Sequence, residues 1–224
     1  MDIKKAVILI TSAGSLLGGT LAMHFASLGA KVILCDKSSS QLKMNFKHCR
    51  SVSEEVYQYA IKDYSLQSIH QLFEFIDREL QHSPDVLINS LTANPMPRIL
   101  DHNTESALAF TLKLSNMAST LFTFGQATAE RMRLEKKQGV IVNVISHEDY
   151  HDLSGFDNAT SMVAGFTQSW AKELTPFNIR VGGVIPSLNL QDEEVKWAEI
   201  QDELIRNTEY IVSNDYFSGR VMAA

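Results

Sequence analysis

Short apolar, β-branched runs alternate with longer amphipathic stretches along the chain. The apolar runs predict strands at residues 5–11, 30–36, 56–63, 85–90, 139–146 and 179–187. The stretches between them have helical spacing, at residues 18–28, 38–48, 65–81, 104–136 and 156–175. Two of the runs, AVILI at 6–10 and VIVNVI at 140–145, are apolar on both alternating faces. That pattern is typical of parallel strands covered by helices on each side.

Strict alternation of strands and helices predicts an α/β fold of the doubly wound, Rossmann type, with a parallel sheet in a three-layer α/β/α sandwich. Beyond the last of these runs, residues 192–212 have the pattern of one more helix, and residues 216–224 suggest a short final strand. We find no internal repeat, low-complexity tract or linker in the sequence. Residues 1–224 are therefore expected to form a single domain.

The composition of the chain argues against several classes of function. The chain has 224 residues, 45% hydrophobic and 21% charged, which is enough for a full core, and a net charge of -6 with scattered basic residues. Nucleic-acid binding usually needs a basic face, so we expect none. No window approaches about 18 uninterrupted apolar residues, so no membrane span is expected. Two cysteines without metal-ligand spacing are typical of a reduced, cytoplasmic protein.

The first strand-to-helix turn, residues 11–19, reads TSAGSLLGG. In a doubly wound sheet this turn receives phosphate, because helix N–H groups and glycines converge there. The segment contains Gly14, Gly18 and Gly19 but lacks the G-x-G-x-x-G spacing. Leu16 puts a branched side chain where a phosphate needs close approach to the backbone.

Over nearly its whole length the chain resembles the short-chain dehydrogenase/reductase family, which opens with T-G-x-x-x-G-x-G. Thr11 and Gly18 match that motif, whereas Ser12 and Leu16 replace its first two glycines, and Gly14 falls at a variable position. The resemblance implies a dinucleotide cofactor, NAD or NADP, with Thr11, Gly14 and Gly18 beside it. Because this turn is altered, we expect cofactor binding to be weak or lost.

Two acidic residues at strand ends match cofactor positions of the resembling family. Asp36 ends the second predicted strand about 20 residues beyond the turn, where a carboxylate accepts hydrogen bonds from a ribose 2′-hydroxyl. It would favour NAD over NADP by repelling a 2′-phosphate, although a turn or helix-capping role for Asp36 is equally open. Asp63 matches the position whose carboxylate contacts the adenine in the resembling family.

Two further cofactor segments match in part. In LINSLTA at 87–93, Asn89 matches the first Asn of the family's N-N-A-G, and Thr92 adds bulk where the family has glycine. In NIRVGGVIPS at 178–187, Pro186 matches the family's proline, and Ser187 replaces the glycine beside the nicotinamide. The resemblance therefore assigns Asn89 and Pro186 to the cofactor site.

The family oxidises or reduces a carbonyl/alcohol pair with Ser, Tyr and Lys, supported by an Asn. The stretch VAGFTQSWAKEL at 163–174 matches the segment after the family's Y-x-x-x-K, and counting back places Phe156 at the Tyr and Thr160 at the Lys. Ser146 matches the catalytic Ser, and Asn116 matches the supporting Asn. Phenylalanine has no ionisable proton and threonine carries no charge, so neither performs the acid/base role.

Two hypotheses of different class are consistent with these replacements. In the first, the chain is a degenerate family member, a pseudoenzyme without Tyr/Lys hydride transfer, acting in binding, regulation or assembly. In the second, it is an active NAD(P)-dependent oxidoreductase with a relocated acid/base, such as Tyr150 or a histidine of the 147–151 loop. Tyr150 has Ser154 four residues later, so no Lys accompanies it. Either protein would take a dinucleotide or a small molecule as ligand.

The loop HEDYH at 147–151 fits H-E-x-x-H, which on a helix would hold zinc. It directly follows a predicted buried strand, and Gly155 comes four residues later, so there is little room for such a helix. A polar loop at the mouth of the cleft is the favoured interpretation, and no metal is expected. No G-x-S-x-G elbow surrounds Ser146, which disfavours a hydrolase.

The helices predicted at 104–136 and 156–175 are rich in small and apolar residues. In the resembling family these two helices pack against their symmetry mates. Small residues allow helices to approach closely, so we expect a homodimer, or a tetramer built from two dimers.

Overall fold

The structure is a computed structural model that describes residues 1–37, 39–100, 105–147, 152–187 and 197–224. The strands are β1 (Val7–Ile10), β2 (Lys31–Asp36), β3 (Val56–Ala60), β4 (Val86–Ala93), β5 (Gly139–His147), β6 (Ile179–Ile185) and β7 (Val221–Ala223). The helices are α1 (Leu16–Ser27), α2 (Ser39–Arg50), α3 (Leu66–Leu80), α4 (Ser106–Leu134), α5 (Phe156–Leu174) and α6 (Trp197–Ser213). Short 3-10 turns occupy Ile3–Lys5 and Thr175–Phe177.

The seven strands form one sheet in the order β3-β2-β1-β4-β5-β6-β7, with every neighbouring pair parallel. β1 pairs with β2 on one side and with β4 on the other, so the strand order reverses at β1. This arrangement confirms the predicted doubly wound α/β fold. The reversal point between β1 and β4 is where such sheets bind their ligands.

Apolar side chains cover both faces of the sheet. One cluster packs β-strand residues such as Ile8 and Val142 against α1 and α6, through Phe25 and Ile211. A second cluster on the opposite face joins the sheet to α3 and α4. Both faces of the central strands are therefore buried, as their uninterrupted apolar runs predict.

Most element boundaries fall within a few residues of the predicted ones, and three strands differ more. β7 begins at Val221 rather than at residue 216, after a turn at Gly219, which has φ +72°. β4 continues to Ala93 rather than ending at residue 90, because Leu91 and Thr92 pair in register with Ile145 and Ser146 of β5. β3 ends at Ala60 rather than at residue 63, since the chain then turns into the start of α3.

Glycine and serine residues mark the helix ends. Gly29 adopts φ +88°, a conformation that side chains disfavour, and it follows α1 where the sequence predicts a stop. Ser15 and Ser65 cap the N-termini of α1 and α3 through their side chains. Within the described ranges, no helix combines the length and the apolar character needed to cross a membrane.

Candidate functional site

The first turn packs tightly onto the start of α1. Ser12 has φ +48°, the left-handed conformation that glycine adopts most readily. A Cβ on Gly18 would lie 2.3 Å from the Ser12 carbonyl oxygen, so only glycine fits there. The Gly18 N–H donates to Ser15 Oγ at 3.0 Å. Gly18 therefore serves the turn itself, and its contact with a cofactor stays a prediction.

Asp36 closes the turn from the end of β2. Its Oδ2 accepts the Gly14 N–H at 2.7 Å, and its Oδ1 accepts the Lys37 N–H at 2.6 Å. A Cβ on Gly14 would lie 2.8 Å from Asp36 Oδ2. Asn45 of α2 adds a hydrogen bond of 2.8 Å to the Ala13 carbonyl. Gly14 and Asp36, both predicted at the cofactor, are thus in direct contact, and Asp36 takes the turn-stabilising role that its sequence position left open.

Leu16 is the first residue of α1, and its side chain is 68% exposed. Helix N-termini attract phosphate because their first N–H groups have no partner within the helix. The apolar Leu16 side chain offers no hydrogen bond to such a group, and the Gly18 N–H already donates to Ser15 Oγ. The local chemistry at the N-terminus of α1 therefore disfavours an anionic group.

Thr11 and Asn89 lie together in the interior beneath the turn. Thr11 Oγ1 donates toward Asn89 Oδ1 at 3.3 Å and the Ser90 carbonyl at 3.2 Å, and Asn89 Nδ2 donates to the Leu121 carbonyl at 2.9 Å. Both residues are buried. Their hydrogen bonds connect the end of β1 to β4 and α4. The structure therefore brings two predicted cofactor residues into direct contact, where both hold these elements together.

Two hydroxyls at the carboxyl end of β4 have no hydrogen-bond partner among the described residues. They are Ser90 Oγ and Thr92 Oγ1, both buried. Thr92 lies beside Ser146 of β5 in the parallel register. Ser90 and Thr92, which are predicted to replace residues of the family's N-A-G, thus have buried hydroxyl groups without a hydrogen-bond partner in the described parts of the chain.

Asp63 lies in the turn between β3 and α3. Its Oδ1 accepts hydrogen bonds from the Ser65 N–H at 3.0 Å and from the Ser68 hydroxyl at 2.6 Å, and also from the Ser65 hydroxyl. These hydrogen bonds from Ser65 and Ser68 lower the Asp63 pKa to about 2. Asp63 therefore stabilises the start of α3, and an adenine contact for it stays a prediction.

Tyr64 is the residue at this site that sequence reasoning missed. Burial raises the pKa of its hydroxyl to about 12, with a further contribution from the charge of Asp36, and Lys37 Nζ lies 3.8 Å from the centroid of its ring. The ring also packs edge-on against Phe124 of α4, with centroids 5.6 Å apart. A tyrosine just beyond a strand's carboxyl end was the available signal, because that edge of the sheet carries the ligand site.

Phe156, which the sequence predicts at the position of the family's tyrosine, is 3% exposed. It belongs to an apolar cluster at the carboxyl ends of β4 and β5, which we call the plug cluster. Its buried members are Leu91, Ala93, Met96, Met117, Leu121, Ile145, Phe156, Ala159 and Val163. The ring of Phe156 therefore packs in an apolar cluster.

The loop in front of α5 is fixed against this cluster. The Met96 N–H donates to the Ser154 carbonyl at 2.8 Å. Gly155 has φ +70°, and a Cβ there would lie 2.5 Å from Met96 Cβ. Thr160, matching the family's lysine, donates its hydroxyl to the Asp157 carbonyl of its own helix at 3.1 Å.

The remaining predicted site residues are dispersed. Ser146 is buried at the end of β5, while Asn116 is exposed on α4 and its carbonyl accepts the Thr120 hydroxyl at 2.8 Å. Pro186 is buried just after β6. Tyr150 lies outside the described residues, as does most of the HEDYH loop at 147–151. In the parts of the chain that the structure describes, no three His, Cys, Asp or Glu side chains could hold a metal ion together.

Sequence comparison identifies the family. The profile described as short chain dehydrogenase matches residues 6–198. A diacetyl reductase [(S)-acetoin forming] of Staphylococcus epidermidis is 26% identical over 212 residues, covering 93% of this chain and 80% of the relative. A 3-oxoacyl-[acyl-carrier-protein] reductase of Thermotoga maritima is 29% identical over 192 residues, covering 83% of this chain and 75% of the relative.

Solved structures share the fold. A short-chain type dehydrogenase/reductase from Mycobacterium marinum superposes with a TM-score of 0.81 at 19% identity, covering 99% of this chain and 95% of that one. A xylitol dehydrogenase with NAD+ bound gives a TM-score of 0.79 at 17% identity, covering 98% and 97%. With its parallel seven-stranded sheet and a profile match along most of its length, the chain belongs to the short chain dehydrogenase family.

Proposed function

We propose that this chain retains the family's fold without its Tyr/Lys hydride-transfer chemistry, and that it acts in binding, regulation or assembly. The observation that carries the proposal is the burial of Phe156 in the plug cluster, at the position of the family's acid/base. A general acid/base must have an ionisable proton and reach the reacting oxygen. Phe156 meets neither requirement.

The position of the family's lysine supports the same proposal. Thr160 is neutral, and its hydroxyl is bonded to the Asp157 carbonyl on its own helix. A neutral hydroxyl held this way cannot lower the pKa of a nearby acid, as a positive charge does. Ser146 and Asn116 match the family by sequence, but without the acid/base pair they do not complete its reaction.

Cofactor binding belongs to the same proposal. Two solved structures similar in fold contain NAD+. The residues of the first turn do not fit a dinucleotide, because Ser12 and Leu16 stand where the family has glycines and the exposed Leu16 side chain offers no hydrogen bond to a phosphate. We therefore propose that cofactor binding is weak or lost and derive no step through it. Any residual preference would be for NAD, since the Asp36 carboxylate repels a 2′-phosphate.

Assembly as a homodimer through α4 and α5 is part of the proposal. A groove of about 380 Å³ on the outer faces of these helices is lined in part by Phe122, Gly125 and Trp170. Phe122 is 49% exposed, and Trp170 stacks on Phe166 with centroids 5.4 Å apart. A Cβ on Gly165 of α5 would meet no atom within 4 Å. An exposed aromatic groove and an exposed glycine on α5 suit a second copy, as in the family, because two helix pairs can approach closely at small residues.

A turnover assay tests the proposal. The wild-type protein at stoichiometric concentration is mixed with NADH or NADPH and diacetyl, and the absorbance of the reduced nicotinamide is followed. We expect no loss above the protein-free rate. The matched control is the diacetyl reductase of Staphylococcus epidermidis in the same buffer, which is expected to consume the cofactor.

Protein-dependent turnover would contradict the proposal. A Tyr150→Phe variant then distinguishes the alternative, because loss of that turnover would assign the acid/base to Tyr150 and make the chain an active oxidoreductase. If turnover persists in Tyr150→Phe, the histidines of the 147–151 loop become the candidates for the acid/base.

A further inference from the structure

Residues 94–97, which we call the strap, follow the end of β4 and lie against the loop in front of α5. The Met96 N–H donates to the Ser154 carbonyl of that loop at 2.8 Å. Pro95 and Pro97 stand on either side of Met96. Because a proline ring locks its own φ and restricts the residue before it, the strap is a stiff segment held at its centre.

The Met96 side chain is buried beneath the strap. It is 2% exposed and belongs to the plug cluster, together with Phe156 of α5 and Met117 of α4. Gly155 makes room for it, since a Cβ there would lie 2.5 Å from Met96 Cβ. Gly155 also has φ +70°, which side chains disfavour. The loop therefore needs glycine at this position both for its own conformation and for the strap.

Little else of the strap and of the chain after it is buried. Met96 is the only buried residue between 94 and 100, and Ile99 and Leu100 are 99% and 78% exposed. At the surface, the ammonium group of Lys113 donates to the Pro95 carbonyl. α4 has no buried residue before Met117. Segments with few buried apolar contacts open at a lower free energy than the whole fold does.

We propose that the strap is a lid that opens locally over the plug cluster, with the Met96 side chain as the group that seals it. Opening separates Met96 from Phe156 and Met117 and exposes their apolar side chains at the carboxyl ends of β4 and β5. Doubly wound sheets bind their ligands at this end of the strands. The inference rests on the proposed binding role, since the lid would regulate access to the position predicted for the family's acid/base.

Methionine oxidation measures the opening. Hydrogen peroxide converts an exposed thioether to the sulfoxide, and it reaches a buried one only when the segment opens. Wild type, Gly155→Ala and Lys113→Ala are treated with hydrogen peroxide, and peptide mass spectrometry gives the initial rate at each methionine. Met132 is 0% exposed in the separate cluster between the sheet, α3 and α4, so it reports opening of the whole domain in the same sample.

The variants loosen the strap from different sides. Gly155→Ala pushes against Met96 and strains the backbone at a positive φ, so Met96 should oxidise about tenfold faster. Met117 should show a smaller rise, and Met132 should not change. Lys113→Ala removes the contact with the Pro95 carbonyl and should raise the Met96 rate about threefold. The matched control Lys172→Ala, at an exposed lysine of α5, should keep the wild-type rates.

An unchanged Met96 rate in the folded variants would overturn the inference. An equal rise at Met96 and Met132 would also overturn it, because the exposure would then come from opening of the whole domain. Circular dichroism establishes that each variant is folded. Should Gly155→Ala fail to fold, Lys113→Ala decides by itself, and an unchanged Met96 rate in that variant overturns the lid.

The outcome is separable from that of the proposed function, because the oxidation rates involve no nicotinamide cofactor. A local rise at Met96 without NADH turnover in wild type supports both. Turnover by wild type contradicts the proposed function, whereas the comparison of Met96 with Met132 decides the lid by itself.

Discussion

The backbone N–H of Gly14 donates a hydrogen bond of 2.7 Å to Oδ2 of Asp36, so the turn after β1 is tied directly to the end of β2. The approach is so close that a Cβ on Gly14 would lie 2.8 Å from that oxygen. A residue pair that sequence reasoning assigned to a cofactor is therefore also part of the framework of the turn.

This contact predicts that Gly14→Ala destabilises the protein. The added methyl group must push the Asp36 carboxylate away, and overpacking of this kind costs about 1–3 kcal/mol of the free energy of unfolding. Denaturant unfolding measures the change. In the double variant Gly14→Ala/Asp36→Ala the clash is absent, so the two effects should be strongly non-additive. Additive effects would contradict the contact.

Gly165→Ala, in the interior of α5, is expected to stabilise the protein, in contrast to Gly14→Ala. Its Cβ would meet nothing within 4 Å, so only the backbone effect remains. Alanine should raise the free energy of unfolding by up to about 1 kcal/mol. A destabilised Gly165→Ala variant at a concentration where the protein is monomeric would show that this face of α5 is not open.

The proposed dimer predicts that a charged residue at position 165 changes the mass of the assembly. Gly165→Glu leaves the isolated chain unstrained but places a carboxylate in the proposed interface, so light scattering after gel filtration should show a monomer. Met44→Glu, on the exposed face of α2, is the control and should keep the wild-type mass. A monomeric wild type, or a dimeric Gly165→Glu variant, would contradict an interface on α5.

Replacement of Arg180, which lies in β6 away from the first turn, is predicted to lower the stability strongly. Its guanidinium is buried and donates to the carbonyls of Ile211, Phe217 and Val212 at 2.8, 3.1 and 3.0 Å, at the end of α6. Arg180→Met leaves those carbonyls without their donor, which should lower the free energy of unfolding by about 3 kcal/mol. Arg206→Met, an exposed arginine in α6, should change it by less than about 0.5 kcal/mol. Similar values for the two variants would contradict the assigned role.

Asp63 predicts a pH-dependent contribution to stability. Its pKa is lowered from 3.8 to about 2 by hydrogen bonds from Ser65 and Ser68, so the folded state favours the charged form. The contribution is present above pH 3.8 and is lost as the pH falls through about 2. The stability difference between wild type and Asp63→Asn, from denaturant titrations, should therefore shrink between about pH 5 and about pH 2. A constant difference would contradict the capping role.

The fold could be predicted closely from the sequence because the spacing of apolar residues indicates which faces of each strand and helix are buried. Runs such as AVILI at 6–10 are apolar on both faces, and they form the central parallel strands. The sequence also predicted that Phe156 and Thr160 replace a reactive pair. It could not predict that Phe156 packs in one cluster with Leu91 and Leu121, since that cluster joins three distant segments.

Tyr64 was missed for a related reason. A single tyrosine after a strand carries no periodic signal, and its contacts with Lys37 and Phe124 join segments that are distant along the chain. Asp36 and Asp63 were found from their positions at strand ends, but the same positions suit turn and helix caps. Only the hydrogen bonds to Gly14 and Ser65 showed that the capping interactions are made.

A calorimetric titration of the wild-type protein with NADH decides whether the chain still uses the family's cofactor. Ser12 and Leu16 at the glycine positions of the first turn, together with the predicted match of Thr160 to the family's lysine, lead us to expect no saturable binding at concentrations up to about 1 mM. Stoichiometric binding with a micromolar dissociation constant would contradict the proposed loss of cofactor binding and would favour an active oxidoreductase.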